Sequence, residues 1–136
     1  MIVVDTGVLL GAADAGDHDH ERCSELLRDH RGELSVPAPV IPETAWQIER
    51  NLGPAAEIRF LRLITTGALT VINLDLADYA RCADLIDTYA DLHLGLVDAS
   101  VITVAERLGL TTLATLNHRD FTVVRPAHTP AFTLLP

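Results

Sequence analysis

Met1-Ile-Val-Val-Asp-Thr-Gly-Val-Leu-Leu10 is the stretch that decides the fold. The apolar run Ile2 to Val4 has the composition of a strand buried on both faces, and it ends abruptly in Asp5. Thr6 to Ala13 suits a helix that starts at once. In open parallel α/β sheets, ligands bind in the crevice beyond the carboxyl ends of the strands. Asp5 is therefore expected where chemistry occurs, and the rest of the chain is read for partners to it.

Outward from that strand, extended and helical patterns alternate. Asp14 to His20 is a polar link; His18 and His20 lie two apart, not at helical metal-pair spacing, and read as solvated. His20 to His30 predicts an amphipathic helix with Cys23, Leu26 and Leu27 on one face, ended by Gly32. Leu34 to Ala38 predicts a second strand. Val40 to Gly53 predicts a helix with Pro42 in its first turn, where the missing N–H costs nothing, and Glu43 directly after it. A carboxylate there commonly serves the helix dipole. Following a strand parallel to the first, it also lies beside Asp5. Trp46 is expected to pack on the core or on a partner.

Gly53-Pro54 breaks the chain. Ala55 to Thr66 predicts a helix with Ile58, Leu61 and either Leu63 or Ile64 inward, and Arg59 and Arg62 on a neighbouring face. Leu69 to Leu74 predicts the third strand. Asp75 caps a helix reaching about Ala90, with Leu76, Ala80, Ala83, Ile86 and Ala90 as its expected apolar face. Asp91 to Ser100 is expected as a loop, with Asp91 solvated, leading to Asp98 at the start of a largely apolar helix. That helix carries Val101, Ile102, Ala105 and Leu108 and stops at Gly109. Asp98 reads either as a cap or as a ligand, because an unpaired charge entering a buried segment is costly. Leu110 to Thr115 predicts the fourth strand, running into the polar turn Leu116-Asn-His-Arg-Asp-Phe121. Phe121 to Val124 is expected as a short fifth strand. Phe132 to Leu135 is expected as an added edge strand or a stretch that docks on a partner.

The alternation predicts an α/β fold, a three-layer α/β/α sandwich with a parallel sheet of four to five strands. Its 136 residues suit one domain over 1–136. Aromatics are scarce at 4%, so the core must be Leu, Val, Ile and Ala. No apolar run approaches a membrane span, and no basic region precedes the N-terminal apolar residues as in a signal peptide. Cys23 and Cys82 lack disulfide or metal-site spacing and read as reduced thiols of a cytoplasmic protein. The net charge of −9 argues against indiscriminate nucleic-acid binding but is compatible with carboxylates gathered on a cation. All ten basic residues are arginine, which excludes lysine-dependent phosphate chemistry such as the P-loop.

Right-handed crossovers bring the strand carboxyl ends to one rim. Asp5, Glu43, Asp98 and the Asn117/Asp120 turn each follow a strand or open a helix there. Like charges held close repel, so a cation is expected among them. Oxygen ligands with open positions suit Mg²⁺ or Mn²⁺, which can activate water for phosphodiester cleavage. Thr6 is placed to hold an outer carboxylate or water by its hydroxyl, and Arg119, near the rim, to contact the backbone of such a phosphodiester substrate.

Taken together, Asp5-Thr-Gly in its apolar strand, Pro42-Glu43, Val97-Asp-Ala-Ser100 and Ala114-Thr-Leu-Asn-His-Arg-Asp-Phe121 resemble the PIN-domain ribonucleases, and more closely the VapC-type toxins of bacterial toxin–antitoxin pairs. The resemblance spans essentially the whole chain. It implies a metal-dependent endoribonuclease in which Asp5, Glu43 and Asp98 bind Mg²⁺ or Mn²⁺ and Asn117 and Asp120 complete the rim. It also implies a VapB-type antitoxin partner and a homodimer. One departure stands out: the family commonly carries aspartate where this chain has Asn117, which offers an oxygen but no charge. That departure motivates a second expectation, a PIN-fold module that binds RNA or protein without cutting.

Overall fold

The computed structural model describes residues 1–136. Five strands form one parallel sheet: β1 (Ile2–Val4), β2 (Leu34–Pro37), β3 (Thr70–Ile72), β4 (Thr112–Ala114) and β5 (Thr133–Leu135), in the order β3-β2-β1-β4-β5. Seven helices surround it: α1 (Thr6–Ala13), α2 (His20–Asp29), α3 (Val40–Leu52), α4 (Pro54–Thr65), α5 (Leu76–Thr88), α6 (Leu96–Leu108) and α7 (His118–Val123). Helices α1 to α4 pack among themselves, and α5 packs on α6, which lies against β1 and β2.

β1 is the central strand, and Val3 and Val4 are fully buried, as an apolar run with helices on both faces requires. The chain lays β2 and β3 to one side of β1, then returns through α5 and α6 to place β4 on the other. The strand order therefore reverses between β1 and β4. Asp5 stands at that reversal, its backbone N–H donating to Ala114 O at 2.9 Å.

The α5/α6 layer is fastened by charge. Arg81 grips Glu106 through two hydrogen bonds of 2.8 and 3.0 Å, and Arg107 reaches the buried Asp78 at 3.0 Å. Glu106 also accepts from the Ala127 backbone N–H, tying the C-terminal segment to the same clamp. Asp75 and Asp78 form a reciprocal cap at the start of α5.

Several local expectations are corrected. Phe121 to Val124 is not a strand; Phe121 to Val123 belong to α7, with Val124 as its C-cap, and Asn117 caps the start by accepting from the Asp120 N–H. Phe121 and Val124 are both buried and lie three apart, a helical spacing. The fifth strand is instead in the tail, at Thr133–Leu135. On α4 the inward stripe is Ala56 and Phe60, with Ile64 partly buried; Ile58, Leu61 and Leu63 face outward. On α5 the buried side is Asp78, Cys82 and Leu85, while Leu76 is 88% exposed and Ala80 and Ala83 point away from the core. The expected face was off by part of a turn because it left out Asp78, whose charge is buried against Arg107. The loop from Asp91 to Ser100 is shorter than expected: a 3₁₀ turn covers Ala90–Leu92 and α6 opens at Leu96. Gly95 is its N-cap, so Asp98 lies inside the first turn instead of capping it.

Candidate active site

Asp5 is held from two sides. The Thr6 N–H donates to Asp5 Oδ1 at 2.8 Å, so the carboxylate caps α1. The Thr115 hydroxyl, fully buried at the end of β4, donates to Asp5 Oδ2 at 2.9 Å. With only 7% of its surface exposed, Asp5 has its carboxyl pKa raised, chiefly by burial and further by Glu43, against the pull of these two donors. Glu43, in the first turn of α3, is more open. Its Oε2 accepts from the Thr6 hydroxyl at 2.8 Å. Thr6 thus joins two acids, through its backbone to one and its side chain to the other.

Asp98 comes from the opposite helical layer. Its pKa is pushed up to about 6, first by burial and then by the negative charges of Asp5, Glu43 and Asp120, with partial relief from the Gly95 backbone. The carboxylates of Asp5, Glu43, Asp98 and Asp120 therefore share one electrostatic neighbourhood. Asp120 behaves differently: the Asn117 amide, then Arg119, hold its carboxyl below the usual range. Asn117 Nδ2 donates to Asp120 Oδ2 at 3.0 Å, and Asn117 Oδ1 takes the Asp120 N–H at 3.3 Å. The Asn117 amide is thus engaged at both ends. Arg119 lies beside Asp120 at 3.3 Å with an 89% exposed side chain.

The donors are all oxygen, and the excess negative charge at Asp98 and Asp5 is what a hard divalent cation relieves. No three His, Cys, Asp or Glu side chains are already drawn together as a closed chelate. The set fits a cation that keeps several waters and takes one or two carboxylates directly. Thr115 was missed in the sequence because a threonine ending a strand carries no distinguishing pattern. Its signal was positional: it follows β4 as Asp5 follows β1. The other candidates lie elsewhere. His18 is solvent-exposed, His20 bonds the Gly11 carbonyl, and Arg59 lines an apolar cavity with Leu9, Leu27 and Phe60.

An open parallel sheet with acids at its strand-order reversal marks a doubly wound α/β protein with a carboxylate site beyond the ends of β1 and β4. The PIN domain family matches residues 2–125, and the chain belongs to that family. Ribonuclease VapC26 of Mycobacterium tuberculosis is 30% identical over 135 residues, covering 99% of this chain and all of that protein. Among solved structures, the fold is similar to Mycobacterium tuberculosis VapC20, described as a sarcin-ricin loop cleaving toxin (TM-score 0.81, 17% identity, 88% of this chain and 92% of that one). It is also similar to a toxin–antitoxin complex from Klebsiella pneumoniae (TM-score 0.69, 20% identity, 97% and 99%). A third is VapBC2 of Rickettsia felis bound to a promoter DNA fragment (TM-score 0.69, 17% identity, 98% and 97%).

Proposed function

We propose that this chain, acting as one unit over residues 1–136, is a divalent-metal-dependent endoribonuclease and the toxin of a toxin–antitoxin pair. The observation that carries the reading is that, on a PIN fold, Thr6 joins Asp5 and Glu43 through bonds of 2.8 Å to each, and the charges of both acids reach the partly buried Asp98. Such repulsion is costly unless a cation sits among the charges.

In this reading Asp5 and Asp98 would hold Mg²⁺ or Mn²⁺, with Glu43 alongside. Such an ion would supply charge stabilisation at the scissile phosphate and lower the pKa of a water. The protein supplies geometry. Thr6 and Thr115 fix both oxygens of Asp5. Thr6 also orients Glu43, which accepts a proton from the attacking water or turns that water towards phosphorus. Asn117 organises Asp120 by pairing with it, so the fourth acid of this site is Asp120. Arg119, almost fully exposed at the rim, is placed to meet an RNA phosphate.

The partner is a VapB-type antitoxin, supported by the relatives' assemblies. A cavity of about 250 Å³ between α1, α2 and α4, apolar apart from Arg59, offers a surface for it. The active form is a homodimer in the cytoplasm, where its RNA substrate lies.

Cleavage of RNA in Mg²⁺ or Mn²⁺ by the purified protein, lost in Asp5→Asn, Asp98→Asn and excess chelator, is the test. Activity unchanged in those variants would end the proposal. The second reading, a PIN-fold module that binds without cutting, draws on Asn117, whose neutral amide replaces a charge. A Mg²⁺ or Mn²⁺ titration that shows no saturable site would favour it.

A further inference from the structure

Beside the acids lies a second cleft of about 470 Å³, between the start of α3 and the α5/α6 pair. Ala38, Pro39, Pro42 and Glu43 line it from the turn after β2 and the start of α3, and Tyr79, Leu96 and Val97 line it from α5 and α6. Val97 directly precedes Asp98 and Pro42 directly precedes Glu43, so the cleft and the acidic rim share two stretches of backbone. Tyr79 is 50% exposed and Leu96 43%. The Ala38 N–H, donating to Ile72 O at 2.8 Å, ties the proline wall to the sheet. No arginine lines this cleft, so it is not built for phosphate. Its lining is apolar apart from Glu43, which the Thr6 hydroxyl ties to the acidic rim, and it includes one aromatic ring.

These features select an uncharged, flat, partly apolar group attached to something that sits at the acids. We propose that the cleft seats an unpaired nucleobase flanking the scissile phosphate, with Tyr79 as the stacking surface and Glu43 at the junction of base and phosphate. The proposal rests on the RNA-cleavage reading above and adds a base-recognition subsite to it. Single-stranded RNA is commonly read by bases splayed out onto aromatic side chains, and stacking of this kind tolerates every base while favouring the larger ones. The subsite therefore biases cleavage towards purine-flanked bonds in unpaired segments. It also gives a strongly acidic protein a means of holding RNA that does not rely on a basic surface.

The test uses a short single-stranded RNA carrying 2-aminopurine at successive positions, mixed with the full-length protein in Mg²⁺ and followed by stopped-flow fluorescence before cleavage. Quenching is expected at one position, next to the bond later cut. It should be lost in Tyr79→Ala, with about tenfold weaker RNA binding, and kept in Tyr79→Phe. Leu96→Ala serves as a second wall variant with a weaker effect. Mapping of cleavage ends should show flattened purine preference in Tyr79→Ala at unchanged Mn²⁺ affinity. Quenching without cleavage would sink the nuclease reading and leave the subsite standing. Cleavage with no position-dependent quench, or with identical quench and end pattern in Tyr79→Ala, would overturn the subsite. So would a Tyr79→Ala protein that cuts as before but sediments as a smaller species, since the cleft would then be a contact with a second copy.

Discussion

The Thr115 hydroxyl donates to Asp5 Oδ2 at 2.9 Å, joining residues 110 apart in sequence across the β1/β4 reversal. The same hydroxyl oxygen accepts the Asn117 N–H at 3.0 Å. One side chain therefore positions the central acid and the loop that carries Asn117 and Asp120. Thr115→Val keeps the shape and removes both bonds, leaving a buried carboxylate oxygen without its donor. We expect a loss of about 1–3 kcal/mol in urea unfolding, a further rise in the Asp5 pKa, and weaker Mn²⁺ binding by calorimetry. Thr115→Ser should restore most of the binding. Equal Mn²⁺ affinity in Thr115→Val and wild type would show that Thr115 does not position the acid.

Asp98 sets the pH dependence of the metal-free protein. Its folded pKa of about 6 lies above the ordinary 3.8. Between those values the folded state binds the extra proton, so stability falls as pH rises. The Asp98 contribution is fully favourable below about pH 4 and is lost above about pH 6. The shift corresponds to at most about 3 kcal/mol, less for a partly buried group screened by water. Asp5, also raised, acts in the same direction. Thermal melts in chelator should therefore show declining stability from pH 4 to 6, with Asp98→Asn flattening the slope. Mg²⁺ should raise the melting temperature more at pH 7 than at pH 5. A chelated wild type that gains stability over that interval would contradict this account.

How much of this was legible beforehand depends on range. The parallel architecture and the acids Asp5, Glu43 and Asp98 follow from strands that stop at a carboxylate and helices that start beside one, which are local patterns. Partners chosen by tertiary contact were not legible. Phe121 to Val124 is apolar enough for a strand, and only the Asn117 cap, itself mistaken for a turn, makes it helical. The α5 face was misassigned because Asp78 is a buried charge, and its partner Arg107 lies 29 residues away. Thr115 was invisible for the same reason: its role exists only once β4 lies beside β1.

The α5/α6 clamp gives a prediction independent of catalysis. Asp78 caps α5 by exchanging bonds with Asp75 and pairs with Arg107, its side chain only 5% exposed. Asp78→Ala removes the side-chain acceptor of the Asp75 N–H, keeps the bond from the residue-78 N–H to Asp75, and leaves Arg107 with one bond, to the Asn73 carbonyl. A loss of about 2–4 kcal/mol is expected. Arg107→Ala should cost as much or more, since it leaves the buried Asp78 carboxylate without its cation, whereas Asp78→Ala strands only a partly exposed arginine. Denaturation midpoints for the two variants decide the order, and the cleavage rate per folded molecule should be unchanged in both.

Gly11 sits in α1, where alanine would ordinarily stabilise a helix by about 1 kcal/mol. Here a Cβ would fall 2.9 Å from the Cys23 sulfur and 3.4 Å from the Cys23 Cβ. Cys23 is fully buried on α2 and cannot swing aside without opening the α1/α2 contact. The His20 ring, bonded to the Gly11 carbonyl at 2.9 Å, further restrains the start of α2. Overpacking of this kind costs about 1–3 kcal/mol, which outweighs the propensity gain, so Gly11→Ala should destabilise. Cys23→Ala alone should also destabilise, by leaving a void where the sulfur was. The double variant places the new methyl in that void, so its loss should be smaller than the sum of the two by at least about 1 kcal/mol in a double-mutant cycle. Strict additivity would mean that α2 moves to accommodate the methyl and that the Gly11–Cys23 approach does not set the helix spacing.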